Sequence, residues 1–282
     1  MYWDKVDHHC GEEHLHNFWM SHPLIRAKIN ARVSGDPHTW PTEWFRREFA
    51  SRLPLGTALS IGCGPGNLER DLVKQGIVGE VTGIDVVATP LEFAAAQAEG
   101  QPIRYERADA YDYLRGRPSQ FDAIFFHASL HHFDRVDEIV SLARASLKPG
   151  GLLYIDEYVG PSMSQWSLRR LLTVNIAWFR LPRAMRRTKI VRTPINPEDP
   201  TEAIASADIL PAIYRHFRVI ARRDYGGNLL SIIYPNLQKS APDFDRGLER
   251  LIAMEDRLLE KGAVSFHSVI VGEAAARSQE CR

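Results

Sequence analysis

A chain of 282 residues with 44% hydrophobic side chains can bury one large α/β core with additions. Its 35 basic residues balance 35 acidic ones, which argues against a dedicated nucleic-acid binder, whose footprint is a basic excess. The three cysteines, Cys10, Cys63 and Cys281, lie far apart without C-x-x-C spacing, which excludes a disulfide framework or thiolate zinc cluster.

The histidine-rich N-terminus lacks the apolar stretch of a signal peptide, and no run of about 18 apolar residues occurs. The expectation is a cytoplasmic protein without stable membrane insertion. Helical stretches are expected at 12–19 and 44–52, with a loop at 34–41 carrying Gly35, Pro37 and Pro41. From Thr57 onward, short apolar runs alternate with helical periodicity. Strands are expected at 57–61, 80–84, 103–107, 121–126 and 152–157. Val136, Ile139, Val140, Ala143 and Leu147 form one apolar helical stripe, stopped by Lys148-Pro149-Gly150-Gly151. This alternation implies a parallel sheet with helices on both faces. It breaks after Glu157: residues 158–197 hold eight basic residues and no Asp or Glu, around an apolar patch with Trp178 and Phe179. A helix at 207–216, a strand at 217–223, a helix carrying Leu248, Leu251 and Leu258, and a strand at 264–271 close the chain. That ending predicts an antiparallel edge hairpin interrupted by a helix.

The sharpest motif is Ala58-Leu59-Ser60-Ile61-Gly62-Cys63-Gly64-Pro65-Gly66-Asn67, a strand running into a glycine turn and then a helix. A ligand can approach such a backbone without a Cβ in the way. A second strand ends in Gly83-Ile84-Asp85, an acid placed to accept hydrogen bonds from ribose hydroxyls. A dinucleotide site would use G-x-G-x-x-G to seat a pyrophosphate on the helix N-terminus. Here the third glycine comes one residue early, which points away from nicotinamide cofactors.

Arg107-Ala108-Asp109-Ala110 follows strand three, Phe121-Asp122-Ala123-Ile124-Phe125-Phe126 forms strand four, and Leu147-Lys148-Pro149-Gly150-Gly151-Leu152 leads into strand five. With these motifs in order, the stretch 57–157 resembles the class I S-adenosylmethionine-dependent methyltransferase family. Its overall texture is similar to bacterial small-molecule, natural-product or glycan methyltransferases. The resemblance implies a Rossmann-like α/β fold: a mostly parallel seven-stranded sheet with an antiparallel edge hairpin, a helical N-terminal lid and an insertion after strand five. The implied division is a cap at 1–50, a cofactor-binding core at 51–157, a helical substrate lid at 158–204 and the rest of the sheet at 205–282. S-adenosylmethionine is the implied cofactor. Gly62, Cys63, Gly64 and Gly66 would form its cradle, Asp85 would hold the ribose and Val86 would flank the adenine. Asp109 would accept from the adenine amino group, Ala110 would pack beside the ring, and His127 would sit near the sulfonium. Asp85 and Asp109 also read as ordinary strand-end caps. One departure stands out: many members carry an acid where this chain has Ser60. Ser60 would then reach the cofactor's amino group through water, or another group serves.

A sulfonium methyl is already electrophilic, so the protein chiefly aligns the reactants, and a hydroxyl acceptor additionally needs a base. In Phe126-His127-Ala128-Ser129-Leu130-His131-His132-Phe133, the Leu130–Phe133 run is similar to O-methyltransferases, which makes His131 the first candidate base, with His127 and Glu157 next. Such histidines also serve simply to hydrogen-bond the pocket floor. The expected function is methyl transfer to a small-molecule acceptor, foremost O-methylation of a secondary metabolite or sugar. N- or C-methylation, or non-methylating chemistry such as cyclisation, is the alternative. No metal and no nucleic-acid partner are expected, and a homo-oligomer is compatible. The His8–His16 region reads as part of a lid rather than a metal site. The basic 158–200 segment reads as a solvated helix, a site for an acidic acceptor, or a surface for a membrane or apolar tail.

Overall fold

The computed structural model describes residues 18–194 and 199–275. The histidine-rich segment, the expected helix start at 12, Cys10 and Cys281 lie outside the described residues. Seven strands form one sheet in the order β3-β2-β1-β4-β5-β7-β6. They are β1 Leu55–Ile61, β2 Val78–Asp85, β3 Ile103–Arg107, β4 Phe121–His127, β5 Leu147–Tyr158, β6 Arg218–Gly226 and β7 His267–Glu273. The first five are parallel, and β7 runs antiparallel between β5 and β6. The fold is therefore the Rossmann-like methyltransferase α/β architecture with its antiparallel edge hairpin, as the motif order implies.

Helices cover both faces because successive strand residues point to opposite sides and both sides are apolar. On one face Phe125 and Tyr154 stack edge-on against Phe45, together with buried Ala58, Val81 and Val271. On the other, Leu59, Ile61, Phe126 and Ile155 pack under the helical stripe Val136, Ile139, Val140 and Ala143. In chain order the helices are α1 Pro23–Ser34, α2 Pro41–Glu48, α3 Asn67–Lys74, α4 Ala88–Gln97, α5 Ala110–Arg115, α6 Val136–Ser146, α7 Leu168–Arg180, α8 Ile209–His216, α9 Leu230–Ile233 and α10 Phe244–Glu260. Among the described residues, no helix is long and apolar enough to cross a membrane.

Three differences from the expected elements have physical causes. Helix α1 replaces a stretch in which no element was expected. Ile25, Ile29 and Val33 recur every fourth residue and are buried, but Arg26, Lys28 and Arg32 dilute the stripe. Arg32 is tied to the Tyr225 carbonyl at 2.8 Å and to Asp256, so α1 belongs to the core packing on β6 and α10. The expected helix at 44–52 is α2, beginning at Pro41, followed by a short 3₁₀ turn at Ala50–Arg52. The Lys148–Gly151 stop signal is a bulge inside β5: Leu147 pairs with Phe121, and the register then jumps to Ala123 opposite Leu152. After β5, helix α7 turns Val174, Ala177 and Trp178 inward and leaves Leu168, Leu172, Ile176 and Phe179 exposed.

Candidate cofactor and catalytic site

Parallel α/β sheets bind ligands beyond the carboxyl ends of their strands, where the order reverses. Here the reversal lies between β1 and β4, and the motifs meet at that edge. Ser60 pairs across to Gly83 and Phe125, Asp85 to Arg107, and His127 to Asp156.

The loop from Ile61 to Asn67 can be built only with glycine at two points. Gly62 sits at φ +67° with a would-be Cβ 2.6 Å from Ser129 Cβ, and Gly66 at φ +75° with one 2.2 Å from the Tyr105 hydroxyl. Gly64 shares the left-handed conformation at φ +52° but faces open space, with nothing within 4 Å. The loop's N–H groups are already engaged. Those of Gly62 and Cys63 donate to the Ile84 carbonyl at 2.8 and 3.1 Å, and that of Gly64 donates to Asp85 Oδ2 at 3.0 Å. These three N–H groups are therefore not available as donors to an anion, which is compatible with a cationic arm. Asp85 Oδ1 accepts from the Val87 N–H at 3.0 Å, so each oxygen holds one backbone donor and keeps a lone pair for a hydroxyl. Val86 beside it is exposed. Asp109 is the N-cap of α5, accepting from Asp112 N–H at 3.1 Å, and Ala110 is buried behind it. Burial, with Glu69 and Asp85 nearby, pushes the Cys63 thiol far above its ordinary pKa, so it is no nucleophile. These features fit a nucleoside carrying a positively charged amino-acid arm.

On the other side of the β1–β4 junction the chain leaves β4 through Ala128, a non-glycine residue at φ +51°. That turn aims the N–H groups of Ser129 and Leu130 at Glu157 Oε1. Glu157 Oε2 lies 2.7 Å from His131 Nδ1. Burial alone would raise the Glu157 carboxyl, but His131 and the two backbone donors hold it below the usual range. Burial likewise pulls His131 down, while the charges of Glu157, Glu202 and Asp199 more than offset it and raise its pKa. His131 Nε2 faces Glu202 at 3.9 Å. His132 stacks beside His131 at 4.1 Å and meets the Thr201 hydroxyl at 3.1 Å. Burial and the adjacent His131 depress His132 to about 4, so it is neutral near pH 7. Asp199 accepts from both the N–H and the hydroxyl of Thr201, at 2.9 and 2.6 Å. The donor atoms of His131, His132 and Glu202 lie within 4.8 Å of one another, a spacing that would also suit a metal ion.

The structure thus brings His131 and Glu157 together, with Glu157 fully buried behind the ring rather than facing an acceptor. His127 ends β4 half-exposed, its Nε2 3.8 Å from Asp156 Oδ2. Asp156 is raised by burial, partly offset by His127 and by the Tyr225 hydroxyl, which donates to it at 2.6 Å. Sequence reasoning missed Glu202, Asp199, Thr201, Tyr225 and Glu69. The first three fall in the Asp199-Pro200-Thr201-Glu202 run, whose polar-proline texture marks a turn. Nothing local in the sequence brings that run to the histidines.

Residues 59–155 match the family described as Methyltransferase domain. A ubiquinone biosynthesis O-methyltransferase of Histophilus somni is 33% identical over 125 residues, covering 42% of this chain and 51% of that protein. An uncharacterized methyltransferase of Mycobacterium tuberculosis is 31% identical over 129 residues, covering 44% and 64%. The chain spans about half the length of the first of these relatives. Among solved structures, a geranyl diphosphate methyltransferase in complex with GPP and sinefungin superposes with a TM-score of 0.54 at 13% identity, over 83% of this chain and 78% of that one. The [4+2]-cyclase SpnF gives 0.50 at 17% identity, over 90% and 93%. Both likenesses concern the fold. With the ordered glycine loop, the Asp85 strand end and the sheet order, residues 59–155 form a methyltransferase domain similar to those of class I S-adenosylmethionine-dependent enzymes, which supports S-adenosylmethionine as the cofactor.

Proposed function

We propose that this protein methylates a hydroxyl oxygen of a small-molecule acceptor in the cytoplasm, with His131 as general base. The observation that carries this reading is the Glu157–His131 pair. Glu157 Oε2 accepts a hydrogen bond from Nδ1–H at 2.7 Å, which favours the tautomer whose Nε2 carries the lone pair that acts as a base. The bound cofactor supplies an electrophilic methyl group. The chain supplies the rest: the glycine loop and Asp85 hold the nucleoside, and the β4–α6 connection sets the imidazole beside the strand ends. His131 Nε2 would take the acceptor hydroxyl's proton as the methyl carbon leaves the sulfonium sulfur, which departs as a thioether, for that oxygen, and the buried Glu157 carboxylate would stabilise the resulting imidazolium. His127 is the next candidate base. Residues 158–204 act as the acceptor cover, since Glu202 from this segment reaches the histidine pair. The named activity of the Histophilus somni relative, O-methylation, agrees with this chemistry. The test is incubation with methyl-labelled cofactor and a metabolite extract. Label should enter the small-molecule fraction and vanish with His131→Ala, whereas label in protein or RNA would refute the reading.

A further inference from the structure

Glu69 sits in the first turn of α3, immediately after the glycine loop, and is fully buried. Both of its carboxylate oxygens lack a hydrogen-bond partner. A buried carboxylate without partners is costly, and a fold retains one when a ligand completes it. The chemistry around it says which ligand. Glu69 lies within electrostatic reach of Cys63 in the loop, Tyr105 on β3 and His127 at the end of β4. The Ser60 hydroxyl and Glu69's own N–H approach closely enough to favour its ionised form, but neither reaches hydrogen-bond geometry with it. Ser60 occupies the strand position where many family members carry an acid. The loop's first three N–H groups are engaged within the chain. A lone buried carboxylate beside a loop whose first donors are already engaged suits a cation with several N–H donors.

We infer that Glu69 is the carboxylate that receives the α-ammonium of the cofactor's methionine arm, the acid having moved from the end of β1 to the first turn of α3. Ser60 then has a second role: its small side chain leaves room for the Glu69 carboxylate approaching from the helix. The inference rests on the cofactor assignment. It has a consequence that an ordinary buried glutamate would lack. Burial raises the Glu69 carboxyl in the free protein, opposed by Ser60, its own backbone N–H, His127 and Arg70. Cys63, Tyr105 and Asp85 complete the titratable groups around the loop. A cation arriving there favours the ionised form, so binding releases a proton below that raised pKa, and affinity increases as pH rises toward it.

Calorimetric titration with two probes tests this. S-adenosylhomocysteine carries the amino-acid arm, and 5′-methylthioadenosine keeps the adenosine and thioether but lacks it. Glu69→Gln, nearly isosteric, should weaken S-adenosylhomocysteine by about 10- to 100-fold and leave 5′-methylthioadenosine within twofold of wild type. Proton release, read from the heat in buffers of different ionisation enthalpy, should disappear in the variant. Adding Ser60→Asp to Glu69→Gln should restore most of the lost affinity by returning an acid to the strand end. Unchanged S-adenosylhomocysteine affinity in Glu69→Gln, or equal loss of both probes, would overturn the assignment. If wild type bound neither probe, the cofactor assignment would fall with it.

Discussion

Glu157 and Glu69 are both enclosed carboxylates at the carboxyl edge of the sheet, and they are finished differently. Glu157 Oε1 accepts from two backbone N–H groups and Oε2 from His131, so its charge is met within the chain. Glu69 has no hydrogen-bond partner on either oxygen. A third case, Glu255, resembles the first: it accepts from Gly227, Leu229 and Leu230 at 3.0, 2.8 and 3.0 Å. A satisfied buried carboxylate organises the backbone around it, whereas an unsatisfied one costs stability until something binds. The contrast separates a region of the site that is preorganised from one that a ligand completes.

The largest expected effect comes from breaking the finished pair. Glu157→Ala strands two backbone donors and a buried imidazole, and should lower unfolding free energy by about 3–5 kcal/mol in a denaturant titration. Next, His131→Ala should reduce kcat by about 10²- to 10⁴-fold with cofactor affinity unchanged. Only the neutral ring is a base and the His131 pKa is raised, so the wild-type rate should climb with pH through a value above 6.5. A profile flat across that range would remove His131 from the reaction. Asp85→Ala should cost about 2–3 kcal/mol of cofactor affinity by calorimetry, through lost hydrogen bonds to a charged acceptor. The smallest effect has the opposite sign. Glu69→Met replaces an unpartnered carboxylate with an apolar chain of similar length and should stabilise the free protein by about 1–3 kcal/mol. A destabilised Glu69→Met protein would mean that Glu69 is as structurally finished as Glu157.

The glycine turn and the β2 strand end are legible in the sequence because their signals are local. Gly62, Gly66 and Asp85 are dictated by a turn, a close approach and a strand end, all visible within a few residues. His131 is a candidate from the Leu130–Phe133 run after β4 and Glu157 from the end of β5, but their pairing depends on the register of β4 against β5 and on the Ala128 turn. Helix α1 is hidden in the sequence because its every-fourth-residue core contacts are interleaved with Arg26, Lys28 and Arg32, of which Lys28 and Arg32 pair with Asp256 across the fold. Glu202 and Glu69 stayed hidden for a different reason. Each reads as a solvated charge on its own segment, and only tertiary packing buries Glu69 or brings Glu202 to the histidines.

The central claim is methyl transfer to an oxygen of a small molecule under the control of the His131–Glu157 pair. Its most direct measurement uses cofactor labelled with carbon-13 in the methyl group, metabolite extract, and correlation NMR of the products. Transfer to oxygen predicts one new methoxy resonance, formed by wild type and lost in His131→Ala. A labelled methyl on nitrogen or carbon, or undiminished product from His131→Ala, would contradict it.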